Sequence, residues 1–329
     1  MSAQEITLTS PEFLADPYTT YRALRAAGAP HWFAHGGPTK GMWLITRYQD
    51  VAFILKEAPT SKDAARLRPP EQLTPFDYNM LGRDPPDHTR LRSLASQAFT
   101  PGRVRELEPR IEQIVDELIA RAKAQGGLEF MADFALPLPV IVIAELLGVP
   151  PDERDIFHAW SNQMVTGVDA TRSSAAGAQQ SEAAGRALGQ YFADLVQRRR
   201  AQPRDDLISA LLQARDAQDR LSENELLAMC MLLLIAGHET TVNLLGNGLW
   251  TLLNHPGQLA RLRSQPDLLP SAIEEMLRFE SPVQRATFRI TTDTLEIGGV
   301  TLEKGQQVSA VIGAANRDPE QFPDPDTFD

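Results

Sequence analysis

Cysteine is nearly absent from this chain, with a single residue, Cys230, among 329. One thiol cannot close an intrachain disulfide, and it excludes every multi-cysteine zinc or iron–sulfur pattern. A basic surplus is missing too. Against 32 Lys and Arg stand 43 Asp and Glu, a net charge of -11, and phosphate contacts need clustered cations. General binding to nucleic acid is therefore not expected. The opening MSAQEITLTSPEFLADPYTTYRALR has neither a basic leader nor an apolar stretch for secretion or anchoring, so a cytoplasmic location is expected. The longest apolar run, which ends at Gly237, is too short to span a bilayer and reads as a buried core helix. No membrane partner is expected. Internal repeats and low-complexity blocks are also lacking, and one continuous domain over 1–329 is the simpler account.

What is present is an ordinary globular composition, 43% hydrophobic and 23% charged, enough for a sizeable core. Helical spacing covers Pro17 to Ala27, Tyr48 to Lys56, His88 to about Phe99 with Asp87 as its cap, and Pro101 to about Gln125. It continues at Met131 to Leu147, Pro151 to Thr166, Ala178 to Arg200, Leu207 to Asp216 and Ser222 to Asn254. Ser271 to Glu274 has the form of a capping box and starts a helix that stops before Pro282. Trp43 to Thr46 is strand-like, and Thr294 to Ile297 with Val300 to Leu302 forms a hairpin, followed by a third strand at Gln306 to Ile312. Ala58 to Met80 is a long loop. The fold class is mainly α with small antiparallel sheets. The chain finishes in RDPEQFPDPDTFD, a turn-rich stretch that leaves Phe322 and Phe328 exposed, so an incomplete sequence is expected.

Chemistry concentrates in Leu226 to Asn247, LLAMCMLLLIAGHETTVNLLGN. Gly and Thr are poor helix formers, yet they occupy the middle of the most apolar segment. Such a local conflict marks a candidate functional site. Leu232, Ile235, Ala236 and Thr240 share one helical face, with Gly237 beside them. Small residues at 236 and 237 let something large and flat approach the backbone. Thr240 adds a hydroxyl there and Glu239 a titratable neighbour, a pairing suited to proton delivery. The alternative for this segment is a core helix whose Thr hydroxyls bond back to carbonyls one turn earlier. His238-Glu239 also resembles the start of H-E-x-x-H, but the fifth position is Val242, which argues against a zinc protease. Cys230 lies among Met229, Met231 and Leu232 and reads as a structural core cysteine.

His88 and Arg92 stand one helical turn apart, a geometry for gripping carboxylate or phosphate oxygens, although taken alone the pair reads as a solvated helix face. The segment Arg83 to Arg105 holds five Arg against two Asp, so an acidic partner is expected to dock at Arg90, Arg103 and Arg105. Glu275 and Arg278 form an i,i+3 pair whose default reading is a solvated surface pair. Arg289 is a second candidate anion ligand.

Taken in this order, these residues resemble the haem-thiolate monooxygenases, the cytochrome P-450 family, in its soluble bacterial form, from about Pro11 to the last residue. Ala236 to Thr241 match A-G-x-[DE]-T-T, Glu275 to Arg278 match E-x-x-R, and His88 and Arg92 within DPPDHTRLR match H-x-x-x-R. Arg289 falls where the family places another arginine on the haem. The resemblance implies haem b as cofactor, O2 as co-substrate, a ferredoxin or flavin reductase as electron donor, and insertion of one oxygen atom into an apolar organic substrate by hydroxylation or epoxidation. It implies that Gly237 allows a local helix distortion, Thr240 hydrogen-bonds bound oxygen and Glu239 relays protons. His88, Arg92 and Arg289 would neutralise the propionates. Glu275 and Arg278 would hold the core beneath the haem. Leu232, Ile235 and Ala236 would line the substrate side, with Pro59 to Leu81 and Met164 to Val168 closing it. The family's axial cysteine lies downstream of a segment resembling Asn316 to Asp329. No metal ligand is therefore expected within 1–329, and the span by itself is expected to be an inactive fragment. The competing class is a non-catalytic helical protein that binds a ligand or partner.

Overall fold

The apolar run around Cys230 becomes the middle of the longest helix in the computed structural model, which describes residues 8, 10–34, 40–66, 75–157, 159–161, 163, 175–214 and 219–329. In chain order the elements begin with α1 (Pro11–Ala15), α2 (Pro17–Ala26), β1 (His31–Ala34), β2 (Gly41–Ile45), α3 (Tyr48–Lys56) and β3 (Thr60–Ser61). Next come α4 (Asp87–Ala98), α5 (Pro101–Gln125), α6 (Pro137–Leu147), α7 (Ala175–Ala201), α8 (Leu207–Gln213) and α9 (Glu223–Asn254). The last are α10 (Pro256–Ser264), α11 (Leu269–Phe279), β4 (Arg289–Thr291), β5 (Leu295–Ile297), β6 (Val300–Leu302), β7 (Gln307–Ala310) and α12 (Ile312–Ala315). Contacts divide the chain into two units, Met1–Pro69 with Asn247–Asp329, and Pro70–Gly246.

The unit Pro70–Gly246 is helical. Its core joins Leu91, Leu94 and Ala95 of α4, Ile143 and Leu147 of α6, Leu188 and Phe192 of α7, and Leu226, Met229, Cys230, Leu232 and Leu234 of α9. Among the described residues, α9 alone is apolar enough by length and composition to cross a membrane, but its apolar residues named above belong to a protein core. α5 shows why its bounds were readable. Thr100 accepts the Arg103 amide at 3.2 Å, Pro101 stands at the first helical position, and Gly126 ends the helix with φ 76°, a left-handed conformation that costs glycine little. Two expectations are corrected here. Asp87 is the first residue of α4 rather than its cap, and makes no capping bond. Met131–Ala135 is a wide π-helical turn that precedes α6, because Pro137 and Pro139 cannot donate the backbone bonds of an uninterrupted α-helix.

The other unit holds both sheets. Five strands run in the order β1-β2-β7-β4-β3, and β5 pairs with β6 as the expected hairpin. β7 does not extend that hairpin. It pairs parallel with β2, Leu44 opposite Ser309, and antiparallel with β4. The sheet is therefore mixed rather than purely antiparallel, which a long crossover between sequence-distant strands permits. β1, β3 and α10 have no counterpart in the sequence reading. β1 and β3 are four and two residues long, too short to show a period. Ile45, Val51, Ile54, Leu302 and Val308 form one core under the sheet, and Tyr18, Tyr21, Leu24, Leu44 and Val311 form another. Phe328, expected to be exposed, is buried against Phe279 and His255, and Phe322 meets Tyr48 edge to face.

Candidate functional site

The middle of α9 departs from a core helix at one place. Leu232 and Leu234 are buried in the core, Ile235 is half-buried against it, and His238 is again buried, yet Ala236 and Gly237 are exposed. A Cβ on Gly237 would meet Ile143 Cδ1 at 3.4 Å, an ordinary contact, so packing does not force glycine there. Thr240 Oγ1 donates to the Ala236 carbonyl at 2.7 Å, and Thr241 Oγ1 to that of Gly237 at 3.3 Å. These are the back-bonds of the plainer reading, and such bonds tend to bend a helix. Exposed small residues in a buried segment are not part of that reading. Because its proton is engaged by Ala236, the Thr240 oxygen keeps its lone pairs for an incoming donor. Glu239 is half-buried next to it. His238 Nδ1 lies 3.5 Å from buried Ser161 Oγ.

α4 presents the second set. His88 is half-buried and Arg92 exposed, and among the described residues neither side chain has a hydrogen-bond or ion-pair partner. The apolar face of α4 shares its core with α9. Arg90 and Arg103, expected to receive an acidic partner, are engaged within the chain instead. Arg90 pairs with Glu225 and Asp219, while Arg103 pairs with Asp205 at 3.0 Å and donates to Ala98 O at 3.2 Å. Nearby acidic groups have neutralised much of the basic zone, which leaves Arg105 exposed.

The remaining candidates belong to the sheet-bearing unit. Arg278 grips Glu275 with two bonds, 2.6 and 2.7 Å, and donates to the carbonyls of Asn316, Pro325 and Thr327 at 3.0, 2.7 and 3.0 Å. Both side chains are mostly buried, 13% and 15% exposed, so this pair is not surface decoration. Arg289 donates to Thr60 Oγ1 at 3.4 Å and Leu55 O at 3.3 Å. The structure thus groups His88, Arg92, Leu232, Ile235, Ala236, Gly237, Glu239 and Thr240 in one unit, and Glu275, Arg278 and Arg289 in the other. Of the two segments expected to close the substrate side, residues 67–74 and Met164 to Val168 lie outside the described residues. Cys230 is fully buried, and burial pushes its thiol up to about 12, which keeps it protonated. Sequence reasoning missed Arg317, stacked 3.6 Å from the Tyr18 ring and 4.0 Å from that of Phe279. Nothing in its spacing marks it.

The family model described as "Cytochrome P450" matches residues 177–329. Cytochrome P450 107B1 of Saccharopolyspora erythraea is 46% identical over 87% of this chain and 72% of its own length. Vitamin D(3) 25-hydroxylase of Pseudonocardia autotrophica is 44% identical over 98% of this chain and 79% of its own. Among solved structures, the Bacillus subtilis P450 PksS superposes with a TM-score of 0.89 at 37% identity, covering 98% of this chain and 81% of that one. P450BioI, solved with a ligated acyl carrier protein, gives 0.87 at 38% identity, covering 97% and 82%. Relatives named hydroxylases and monooxygenases do not favour a non-catalytic binding protein. Identity at this level over most of both chains, together with the shared backbone, places the chain in the cytochrome P450 family of haem-dependent monooxygenases.

Proposed function

We propose that 1–329 forms one domain of a monooxygenase that oxidises an apolar organic substrate, that it binds haem b against the exposed Ala236–Gly237 step of α9, and that this span by itself is inactive. The observation that carries this reading is the pair of exposed small residues beside the Thr240 hydroxyl, directly after the buried Cys230, Leu232 and Leu234 of α9. The residues suit a flat dianionic macrocycle. Ala236 and Gly237 allow close approach of a planar face, and His88 and Arg92 offer an imidazole and a guanidinium that no described residue engages. Cys230 does not suit the role of an iron ligand, since it is a buried, protonated thiol of α9 within the core. When bound, the haem supplies activation of O2.

The chain's own groups do the rest. Leu232, Ile235 and Ala236 exclude water from the substrate side. Glu239 would bring in a proton from water and donate it to Thr240 Oγ1 as that hydroxyl releases its own proton towards the open face, so Thr240 stays a neutral alcohol throughout. Glu275 and Arg278 fix the backbone of 316–327 from beneath. The electron donor is a ferredoxin or flavin reductase in the cytoplasm. Names such as vitamin D(3) 25-hydroxylase and 6-deoxyerythronolide B hydroxylase among the relatives support a bulky apolar substrate. Thr240→Ala tests the proton role. In the haem-loaded protein supplied with electrons, substrate binding persists while the product formed per electron pair falls and hydrogen peroxide rises. Unchanged coupling of electrons to product overturns the assignment.

A further inference from the structure

Arg90 lies between His88 and Arg92 in sequence but on another side of α4. At about 100° per residue, His88 and Arg92 are roughly 40° apart and Arg90 roughly 160° from each. Its guanidinium bonds to Glu225, and Asp219 Oδ2 is 3.3 Å away. Glu225 also closes the start of α9. The Ser222 amide donates to Glu225 Oε2 at 2.8 Å, and the Glu225 amide to Ser222 Oγ at 3.3 Å, the reciprocal bonds of a capping box. Burial opposes the Glu225 carboxylate, but the Arg90 and Ser222 bonds outweigh it and keep the group ionised below the ordinary range.

We infer that Arg90 and Glu225 are positioning residues whose ion pair ties α4 to the first turn of α9, fixing the offset between the His88–Arg92 pair and the Ala236–Thr240 step. A cation kept for an outside partner would not be committed to two carboxylates of its own chain. Leu91, Leu94 and Ala95 share one apolar core with Leu226 and Met229, but apolar packing is non-directional, so it sets register loosely. A directed ion pair sets it sharply, the best-attested use of such pairs away from full exposure. Glu225 is twelve residues from Gly237, about 18 Å along a rigid helix at 1.5 Å per residue. Displacement at the cap is therefore carried to the site. The functional meaning of that offset rests on the preceding reading of the two helices, whereas the tie itself does not.

Spin labels on Ser96→Cys in α4 and Thr241→Cys in α9, both exposed positions, report the offset by pulsed dipolar spectroscopy on the full chain, while buried Cys230 stays unlabelled. Arg90→Ala and Glu225→Gln are each expected to displace and broaden the distance distribution. Arg90→Lys, which keeps a charged donor, should retain the parent distribution. Glu225→Gln preserves an acceptor for the Ser222 amide, so it separates the ion pair from the cap and decides the matter if Arg90→Ala does not fold. An unchanged distribution in the folded charge-removal variants, whatever their stability, overturns the inference. Hemin titration of His88→Ala/Arg92→Ala reads the other layer. Unaltered hemin affinity there would remove the cofactor reading and leave the distance result standing.

Discussion

Arg278 carries more of the structure than its spacing suggests. An E-x-x-R pair on a helix is by default a surface pair contributing about 0.2–0.5 kcal/mol. Here the guanidinium also meets carbonyls from residues 316, 325 and 327, and that company is invisible at a separation of three. Arg278→Ala is expected to cost about 3–5 kcal/mol, the scale for breaking a buried pair while its partner stays behind; the shift in urea midpoint measures it. A loss under about 1 kcal/mol would return the pair to the surface class. Cys230 was legible, because its Met and Leu neighbours already imply burial. Arg90 and Arg92 were legible as charges but not as roles. Two positions apart on a helix they face differently, and only the fold reveals that Glu225 waits on one side.

Elements with strong punctuation were readable, and those without it were not. α5 begins at a Thr-Pro step and ends at Gly126, and the long α9 follows from its unbroken apolar run. β7 has the composition of a strand, yet its partner β2 lies near the other end of the chain, which no local pattern encodes. The Ser-x-x-Glu pattern has different outcomes at two helix starts. At 222–225 it is a working capping box. At 271–274 the helix has already begun at Leu269, and Ser271 Oγ bonds back to Leu268 O at 2.9 Å. Ser222→Ala should therefore lower stability by about 1 kcal/mol, the usual value of a cap. Ser271→Ala should stay within about 0.5 kcal/mol, as surface changes do. Thermal melts of the two variants side by side check the contrast, and equal effects would refute it.

At the scale of the whole molecule, stability is expected to fall in acid. Two Arg198 bonds at 2.6 and 2.9 Å, opposed by some burial and aided by the Tyr191 hydroxyl at 2.6 Å, hold Glu153 down to about 2. Glu145 is also lowered: burial opposes its charge, but Arg110 and Arg154 outweigh that cost. A carboxyl depressed in the folded state stabilises above its unfolded pKa, and that contribution disappears as pH falls through the folded value. Glu280, raised by burial, works the other way. The urea midpoint should thus decline from about pH 5 towards about 2, and Glu153→Gln should flatten the decline. A profile equally steep in that variant would exclude Glu153 as a contributor. The mixed sheet has a further consequence, for biosynthesis. β2 is made early, but β7, its neighbour, follows roughly 260 residues later, about 13–50 s at ribosomal rates of 5–20 residues per second. Throughout that interval the nascent chain displays a strand edge awaiting its match, which makes this sheet the stretch most dependent on a holding chaperone.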